Sequence, residues 1–248
     1  MNRHLLLDIE GTTCPVNFVS DILFPFAKKE LSSYIKNHWD NRTHNRTIQE
    51  AKKEWLDDQS AESIQLKKQV SLQQTSEVNG LIQYLKHLIS IDRKSTALKD
   101  IQGKIWECGY NQGVLKAELF PETAECMHQW HEQGLTLSVY SSGSIQAQQL
   151  LYRHSSEGNL ESLFSQWFDT HTGPKKSTES YIKIAQLLNS PPDNIWFVSD
   201  NGMECDAARL AGMHTLFSLR DGNPDRDPKD HIVIESLREV NTHLATEQ

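Results

Sequence analysis

The middle of the chain has the periodic pattern of amphipathic helices. Four apolar side chains follow the i, i+3, i+4, i+7 spacing that places them on one helix face: Leu81, Tyr84, Leu85 and Leu88. After a polar break at 92–95, apolar positions continue with helical spacing from Leu98 through Ile101 to Ile105. We therefore predict two amphipathic helices on either side of this break.

Glycine and proline, which interrupt regular structure, are rare in the same region. No proline lies between Pro25 and Pro121, and no glycine lies between Gly11 and Gly80. The scarcity of glycine and proline favours long helices for most of the stretch. Residues 40–76 are so polar that the pattern does not decide between helix and loop.

The rest of the chain alternates short apolar runs with amphipathic segments. The runs predict strands at 5–7, 135–139, 195–198 and 215–219. The segments between them predict helices at 122–133, 144–154, 181–188 and 204–212. Short strands separated by helices favour a parallel, doubly wound sheet. We therefore predict an α/β fold whose Rossmann-like core, 1–17 and 119–248, carries an inserted, mostly helical cap at 18–118.

Composition limits the binding partners and the cellular location that we expect for the chain. The 248 residues can bury a sizeable core, and the net charge of −8 comes without a Lys/Arg-rich stretch, which argues against binding to nucleic acid or to a membrane surface. The apolar run 5–7 is too short for a secretory signal, and no run approaches the ~20 apolar residues of a membrane span. We expect a cytoplasmic protein with reduced thiols at its four scattered cysteines, Cys14, Cys108, Cys126 and Cys205.

Polar clusters follow three of the predicted strands. Asp8 and Glu10 follow the first, Ser141 and Ser142 the next, and Asp200 a later one. In open α/β sheets, ligands bind beyond the carboxyl ends of the strands. The coincidence of three clusters at such ends predicts a site there.

The pair Asp8 and Glu10 suits phosphoryl transfer if the chain turns at Gly11. A carboxylate nucleophile can attack phosphorus and form an aspartyl-phosphate. A second carboxyl group can protonate the leaving oxygen and later activate water. Taken alone, the same letters also fit an ordinary strand end followed by a polar turn.

Two further elements offer groups to a phosphate. Ser141 and Ser142 bring hydroxyls and backbone N–H groups to a helix start, where anions are favoured. Lys175 or Lys176, after Gly173, could bind a phosphate as a point charge. The alternatives are a helix N-cap and a solvated lysine pair.

Asp200 and Glu204 complete the set. Glu204 could simply complement the dipole of a helix start, whereas Asp200 is suited to a hard cation such as Mg²⁺. Since a phosphate dianion would be repelled by Asp8 and Glu10, something positive must neutralise the site. One magnesium ion and one lysine would do so.

This order of motifs, an acidic pair, Ser-Ser, Lys and Asp, resembles the haloacid dehalogenase superfamily of phosphohydrolases. Most phosphatases of that superfamily have Asp where this chain has Glu10, and 8–13 is similar to the opening motif of the enolase-phosphatase family. Further matches lie at 21–25, 38–39, 92–99, 140–144, 168–170 and 179–181. The sequence after Asp200, Asn201-Gly202-Met203, differs from the one that is commonest in the family. The spacing to 179–181 favours Lys175 over Lys176 as the lysine of the motif.

The resemblance implies a bifunctional enolase-phosphatase of methionine salvage. Such an enzyme enolises 5-methylthio-2,3-dioxopentyl phosphate and then removes its phosphate, leaving the acireductone 1,2-dihydroxy-5-methylthiopent-1-en-3-one. It implies a small-molecule phosphate ester as the partner, and a monomer. It also implies these roles: catalysis by Asp8 and Glu10, substrate binding by Ser141, Ser142 and Lys175, and one Mg²⁺ on Asp8, Glu10 and Asp200.

Other interpretations stay open at this point. The chain could dephosphorylate another small ester, and the cap segment 92–99 is the one we expect near the substrate. A phosphomutase is less favoured, since no second phosphate position is indicated. A silent phosphate-binding module would have lost the nucleophile, the lysine or the metal carboxylate, and none is lost. The residues alone do not identify the base for enolisation.

Overall fold

The computed structural model describes residues 3–39, 46–91, 93 and 95–245. The chain divides into two compact units, 1–19 with 115–248 and 20–114. The second is an insertion in the first, after its first strand. The predicted cap limits of 18 and 118 differ from these by a few residues. Within the described part, no helix is long and apolar enough to cross a membrane, and all four cysteines are free thiols.

The inserted unit is helical. A π-helical turn at Val19–Leu23 leads into it. Its helices are α1 Phe24–His38, α2 Arg46–Asp57, α3 Ala61–Ser71, α4 Glu77–Ser90 and α5 Thr96–Asn111. Serine side chains cap the starts of α3, α4 and α5, so each of these helices begins where a backbone N–H finds a hydroxyl acceptor. Apolar side chains from all five helices form one core.

The other unit contains a six-stranded sheet. Its strands are β1 His4–Leu7, β2 Thr136–Tyr140, β3 Phe164–Phe168, β4 Ile195–Ser199, β5 His214–Ser218 and β6 Ile232–Ile234. All neighbouring pairs are parallel, in the order β3-β2-β1-β4-β5-β6. From β1 the chain adds β2 and β3 on one side of the sheet, and it then returns to add β4, β5 and β6 on the other side of β1. This is a doubly wound arrangement. The predicted fold class is confirmed.

In the described part of the chain, five α-helices accompany this sheet. They are α6 Thr123–Glu132, α7 Ile145–Arg153, α8 Thr178–Leu187, α9 Gly202–Leu210 and α10 Val240–Ala245. The leucines of β1 are fully buried, and every residue of β4 is buried. Continuous apolar runs of this kind are typical of parallel strands covered on both faces. The reversal of strand order between β1 and β4 positions the ends of these two strands side by side.

Some elements were not predicted. The strands β3 and β6 and the helix α10 have no counterpart in the sequence pattern above. The undecided region at 40–76 contains α2 and α3. Its first part, 40–45, and positions 92 and 94 of the segment 92–99 lie outside the described residues.

Candidate active site

The Asp8 carboxylate lies directly beyond β1 and is held at both oxygens. The backbone of Asp8 still pairs with β4, since its N–H donates to the Val198 carbonyl at 2.9 Å. Oδ1 accepts from the backbone N–H of Ile9 at 2.8 Å. Oδ2 lies 2.7 Å from Lys175 Nζ and 3.0 Å from Ser199 Oγ. The side chain is buried, so its orientation is fixed by the protein and not by solvent.

A tight turn follows, and Gly11 makes it possible. Gly11 has a φ of +69°, and its N–H donates to the Cys14 carbonyl at 2.7 Å. A Cβ at this position would lie 2.3 Å from Asp200 Oδ2, far inside contact distance. Only glycine therefore lets this turn approach Asp200 so closely. Glu10, half-buried, precedes the turn.

Lys175 is the basic group of the site. Its Nζ lies 2.7 Å from Asp8 Oδ2 and 2.7 Å from Glu204 Oε2, with a side chain only 11% exposed. Gly173, two residues before Lys175, has a φ of +156° and packs closely against Ser180. A Cβ on Gly173 would lie only 2.2 Å from Ser180 Oγ. Lys176 is exposed. The structure thus brings Lys175, and not Lys176, to Asp8.

Two acidic residues follow β4. Asp200 comes straight after the strand, and Glu204 lies in the first turn of α9; both are buried. Asn201 caps α9 by accepting from the N–H groups of Met203 and Glu204 at 3.1 and 3.2 Å. Ser199 Oγ lies 3.0 Å from Glu204 Oε2. Glu204 therefore completes a buried cluster with Asp8, Lys175 and Ser199.

Burial and mutual repulsion change the pKa values of this cluster. Burial, followed by the charge of Asp8, raises the pKa of Glu10 to about 7 and that of Asp200 to about 7. The same two causes raise the pKa of Glu204. Burial alone would lower the pKa of Lys175, but the charges of Asp8 and Glu204 outweigh it and raise that pKa. In this cluster the single ammonium group of Lys175 is outnumbered by four carboxyl groups, those of Asp8, Glu10, Asp200 and Glu204.

This excess of negative charge and oxygen donors fits a hard divalent cation. In the described part of the chain, no three His, Cys, Asp or Glu side chains form a ready-made metal cage. Mg²⁺ needs none, because it usually keeps several waters and takes one or two carboxylates. Asp8 and Asp200, with an oxygen of Glu10, make a donor set of that kind.

The two serines predicted to bind phosphate follow β2, the neighbour of β1. Ser141 is buried, and its N–H donates to the Phe168 carbonyl at 3.2 Å. Its Oγ accepts from Gly143 N–H at 3.3 Å. Ser142 is exposed. Ser144 caps α7, since its Oγ accepts from Ala147 N–H at 3.3 Å. The serines therefore lie at the same edge of the sheet as Asp8.

Sequence reasoning missed two residues of this site, Ser199 and Asn223, and gave a third, Glu204, no role in catalysis or binding. Glu204 was grouped with Asp200 by its spacing, with a helix start as the alternative interpretation. Ser199 reads as the last residue of a strand. Asn223 donates to the Gly11 carbonyl at 3.0 Å from a loop more than 200 residues away along the chain, and no local pattern marks it.

Comparisons with known proteins show similarity along nearly the whole chain. The model of the haloacid dehalogenase-like hydrolases matches residues 3–212. "Enolase-phosphatase E1" of Synechococcus sp. (strain CC9605) is 74% identical over 246 residues, covering 99% of both chains. The protein of the same name from Parasynechococcus marenigrum (strain WH8102) is 55% identical over 97% of this chain and 98% of its own. The crystal structure of the UTR4 protein of Saccharomyces cerevisiae, 27% identical, superposes with a TM-score of 0.73 over 96% of this chain and 99% of its own.

Proposed function

Because the chain belongs to the enolase-phosphatase E1 family of haloacid dehalogenase-like hydrolases, we propose that it is an acireductone synthase of methionine salvage. It converts 5-methylthio-2,3-dioxopentyl phosphate to 1,2-dihydroxy-5-methylthiopent-1-en-3-one and phosphate. The observation that carries this proposal is 74% identity to such an enzyme across nearly the whole chain. The buried cluster around Asp8 supports the phosphatase half independently.

Phosphate removal is assigned to Asp8. One carboxylate oxygen attacks phosphorus, and the bond from phosphorus to the oxygen on C1 breaks. Glu10 gives its proton to that leaving oxygen, which becomes the second enol hydroxyl of the product. Glu10 then takes a proton from a water that attacks phosphorus, which releases phosphate and restores the Asp8 carboxylate.

Lys175 and the serines support this step. The hydrogen bond from Lys175 Nζ to Asp8 Oδ2, at 2.7 Å, holds the nucleophile in its orientation while a phosphate approaches. Ser141 and Ser142 offer hydroxyl and N–H donors to the phosphate oxygens from the neighbouring strand end. Without these groups, the carboxylates would repel the dianion.

One Mg²⁺ would be held by the carboxylates of Asp8 and Asp200 and by the backbone carbonyl of Glu10, which leaves the Glu10 carboxyl group free for proton transfer. When bound, it supplies positive charge to the phosphate oxygens and to the oxygen of the enolate. The acidic surplus around Lys175 and the close approach of Gly11 to Asp200 support this location. In the cell we place the enzyme in the cytoplasm as a monomer, in line with the family resemblance.

We also assign to Glu10 the removal of the C1 proton, which leaves a C1–C2 double bond and an electron pair on the C2 oxygen. That oxygen takes a proton from water and becomes the first enol hydroxyl. The oxygen that leaves phosphorus is bonded to C1, so a carboxylate within reach of one is within reach of the other. Glu10 is one methylene longer than the aspartate usual at this position, which extends that reach. The alternative is that a residue of the helical unit removes the C1 proton.

The helical unit 20–114 is proposed to be the cap that selects the substrate. Arg93, in the segment expected near the substrate, pairs with the buried Asp58 through an Nη1–Oδ2 distance of 2.5 Å. Arg93 therefore has a structural partner within its own unit, and a substrate role would come in addition to it. Substitutions at 95–99 that left the preference for the methylthio chain unchanged would remove this segment from the proposal.

The decisive experiment is turnover of the diketone phosphate followed by NMR. Proton spectra report the enol, and phosphorus spectra report free phosphate, so the two steps are observed separately. We expect the enol and phosphate to form only with enzyme and Mg²⁺. Phosphate release from p-nitrophenyl phosphate with no reaction of the diketone would point instead to another small ester as the substrate.

A further inference from the structure

Asn223 is a buried amide whose orientation is fixed. It lies in the loop after β5 and is 5% exposed. Its Nδ2 lies 3.0 Å from the Gly11 carbonyl and 3.0 Å from the Ser218 carbonyl. Because only the NH₂ group of an amide can donate to two carbonyls, the oxygen must occupy the opposite position. The two hydrogen bonds of Nδ2 therefore determine on which side of the amide Oδ1 lies.

That oxygen has no donor from the described chain. Asn223 Oδ1 is buried and without a hydrogen-bond partner among the described residues. It lies 2.8 Å from the point that a Cβ on Gly11 would occupy, and Asp200 Oδ2 lies 2.3 Å from the same point. Two acceptor oxygens therefore converge beside Gly11. A buried oxygen without a partner, beside a carboxylate oxygen, fits a donor or a cation that is not part of the described chain.

The same loop also holds the segment that carries Asp200. Asp225 Oδ2, two residues beyond Asn223, accepts from the N–H of Gly202 at 2.9 Å. The loop thus contacts the turn after β1 through Asn223 and the start of α9 through Asp225. These are the two segments that supply the proposed metal donors.

We propose that Asn223 is a positioning residue of the metal site, whose Oδ1 accepts a hydrogen bond from a water bound to the Mg²⁺ near Asp200. Metal-bound waters are strong donors, and acceptors of this kind orient them and strengthen metal binding. The amide nitrogen at the same time fixes the Gly11 peptide. This inference rests on the proposed function, which requires the metal.

Ser218 provides a matched control. Its Oγ donates to the same Gly11 carbonyl at 2.9 Å, and it is buried like Asn223. Ser218→Ala therefore weakens the hold on Gly11 without removing the free oxygen. Asn223→Ala removes both the hold and the oxygen. Comparison of the two variants separates a structural role from the proposed one.

The test is calorimetric titration of Mg²⁺ into the full-length protein without substrate. We expect the Kd of Asn223→Ala to rise about 10- to 100-fold, and that of Ser218→Ala to stay within about 3-fold of wild type. Circular dichroism would verify that both variants are folded. An unchanged Kd in Asn223→Ala, or an equal rise in Ser218→Ala, would overturn the inference while leaving the proposed function intact.

Asn223→Asp decides the matter if the alanine variant does not fold. It keeps the acceptor, adds negative charge and loses the donor to Gly11. We expect a lower melting temperature together with Mg²⁺ binding at least as tight as in wild type. Binding weaker by 10-fold or more would contradict the role of the oxygen. A wild-type protein that binds no Mg²⁺ would overturn the proposed metal site itself, and this inference with it.

Discussion

The carboxylate of Asp8, the proposed nucleophile, is restrained before any substrate arrives. One oxygen is held by the backbone of Ile9 and the other by Lys175 and Ser199. A carboxylate fixed in this way loses little freedom on reaching the transition state. Asn has nearly the shape of Asp and can still accept the bond from Ile9, while its NH₂ group would face Lys175 and can no longer accept a bond from it.

We therefore expect Asp8→Asn to fold and to lose phosphate release by more than about 1,000-fold, as removal of a covalent nucleophile does. Phosphate release from the diketone phosphate at saturating Mg²⁺ is the measurement, with circular dichroism as the control for folding. Substantial release by the folded variant would exclude Asp8 as the nucleophile.

Glu10→Gln separates the two half-reactions. If Glu10 is the base for enolisation, the variant loses deuterium exchange at C1 of a non-hydrolysable diketone phosphonate, because an amide cannot accept the proton. Exchange is followed by proton NMR, with Mg²⁺ binding measured in parallel. Exchange at the wild-type rate would eliminate the dual role and favour a base from the helical unit.

Gly11→Ala should disturb both stability and metal binding. Gly11 and Gly113 both have positive φ, +69° and +71°, so alanine costs about 1–2 kcal/mol at either position. Only at Gly11 would the new Cβ also meet Asp200, at 2.3 Å, since nothing lies within 4 Å at Gly113. We expect urea unfolding to show a larger loss for Gly11→Ala than for Gly113→Ala, and only the former to weaken Mg²⁺ binding. Equal effects would contradict the close approach.

Among the elements of the sheet unit, a buried ion pair joins three that are distant in sequence. Glu122, just before α6, accepts from Arg220 Nη2 at 2.6 Å and from Leu237 N–H at 3.1 Å. Both charged side chains are less than 10% exposed. Burial acts to raise the pKa of Glu122, but its hydrogen bonds and the charge of Arg220 outweigh this and lower the pKa below 4.5.

Glu122→Gln should cost about 3–5 kcal/mol at pH 7, because Arg220 is left buried without its counter-charge. Since the pKa of Glu122 is lower in the folded protein, its stabilisation is fully present above the ordinary value of 4.5 and is lost as the pH falls through the folded value. The difference between variant and wild type in urea unfolding should therefore shrink below pH 4.5. Glu125→Gln, which breaks an exposed pair with Arg238, is the control and should change little. An equal difference at pH 7 and pH 3 would contradict this account.

The elements that sequence reasoning predicted are those with strong local patterns. The apolar runs of β1 and β4 and the caps of α5 and α7 determine structure within a few residues. By contrast, β3 has Ser165 and Gln166 in its interior and a register shift against β2, and β6 has three residues. Both are edge strands, where one side is unpaired and the pattern is weakest.

The predicted site residues depend on motifs at strand ends, which a sequence displays directly. The choice between Lys175 and Lys176 depends on the turn at Gly173, and the contribution of Asn223 depends on a loop that returns to Gly11. Contacts of this kind are made by the tertiary fold. They leave no periodic signal in the chain.

In the whole molecule, the helical unit has a hydrophobic core of its own. Among the residues that the structure describes, sixteen buried ones, including Leu31, Trp55 and Tyr84, form one cluster drawn entirely from residues 27–105. A separate cluster lies in the sheet unit. A unit with its own core, 95 residues long by the limits 20 and 114, is large enough to fold alone.

Residues 20–114, produced alone, should therefore give a helical circular dichroism spectrum and a cooperative thermal transition. Trp55→Ala within this fragment should lower its melting temperature, because Trp55 packs against Tyr84 with ring centroids 6.0 Å apart. A non-cooperative transition in the unsubstituted fragment would show that its core depends on the rest of the chain.

The insertion after β1 has a consequence for biosynthesis. The first strand pairs with one strand that begins at residue 136 and another that begins at residue 195. At about 5–20 residues per second, the ribosome needs roughly 5–30 s to make the nearer partner. During that time the local contacts of the helices can form, while three consecutive leucines that end fully buried have no neighbouring strand. The inserted unit thus sets how long the nascent first strand must wait, exposed to misassembly, before its sheet can form.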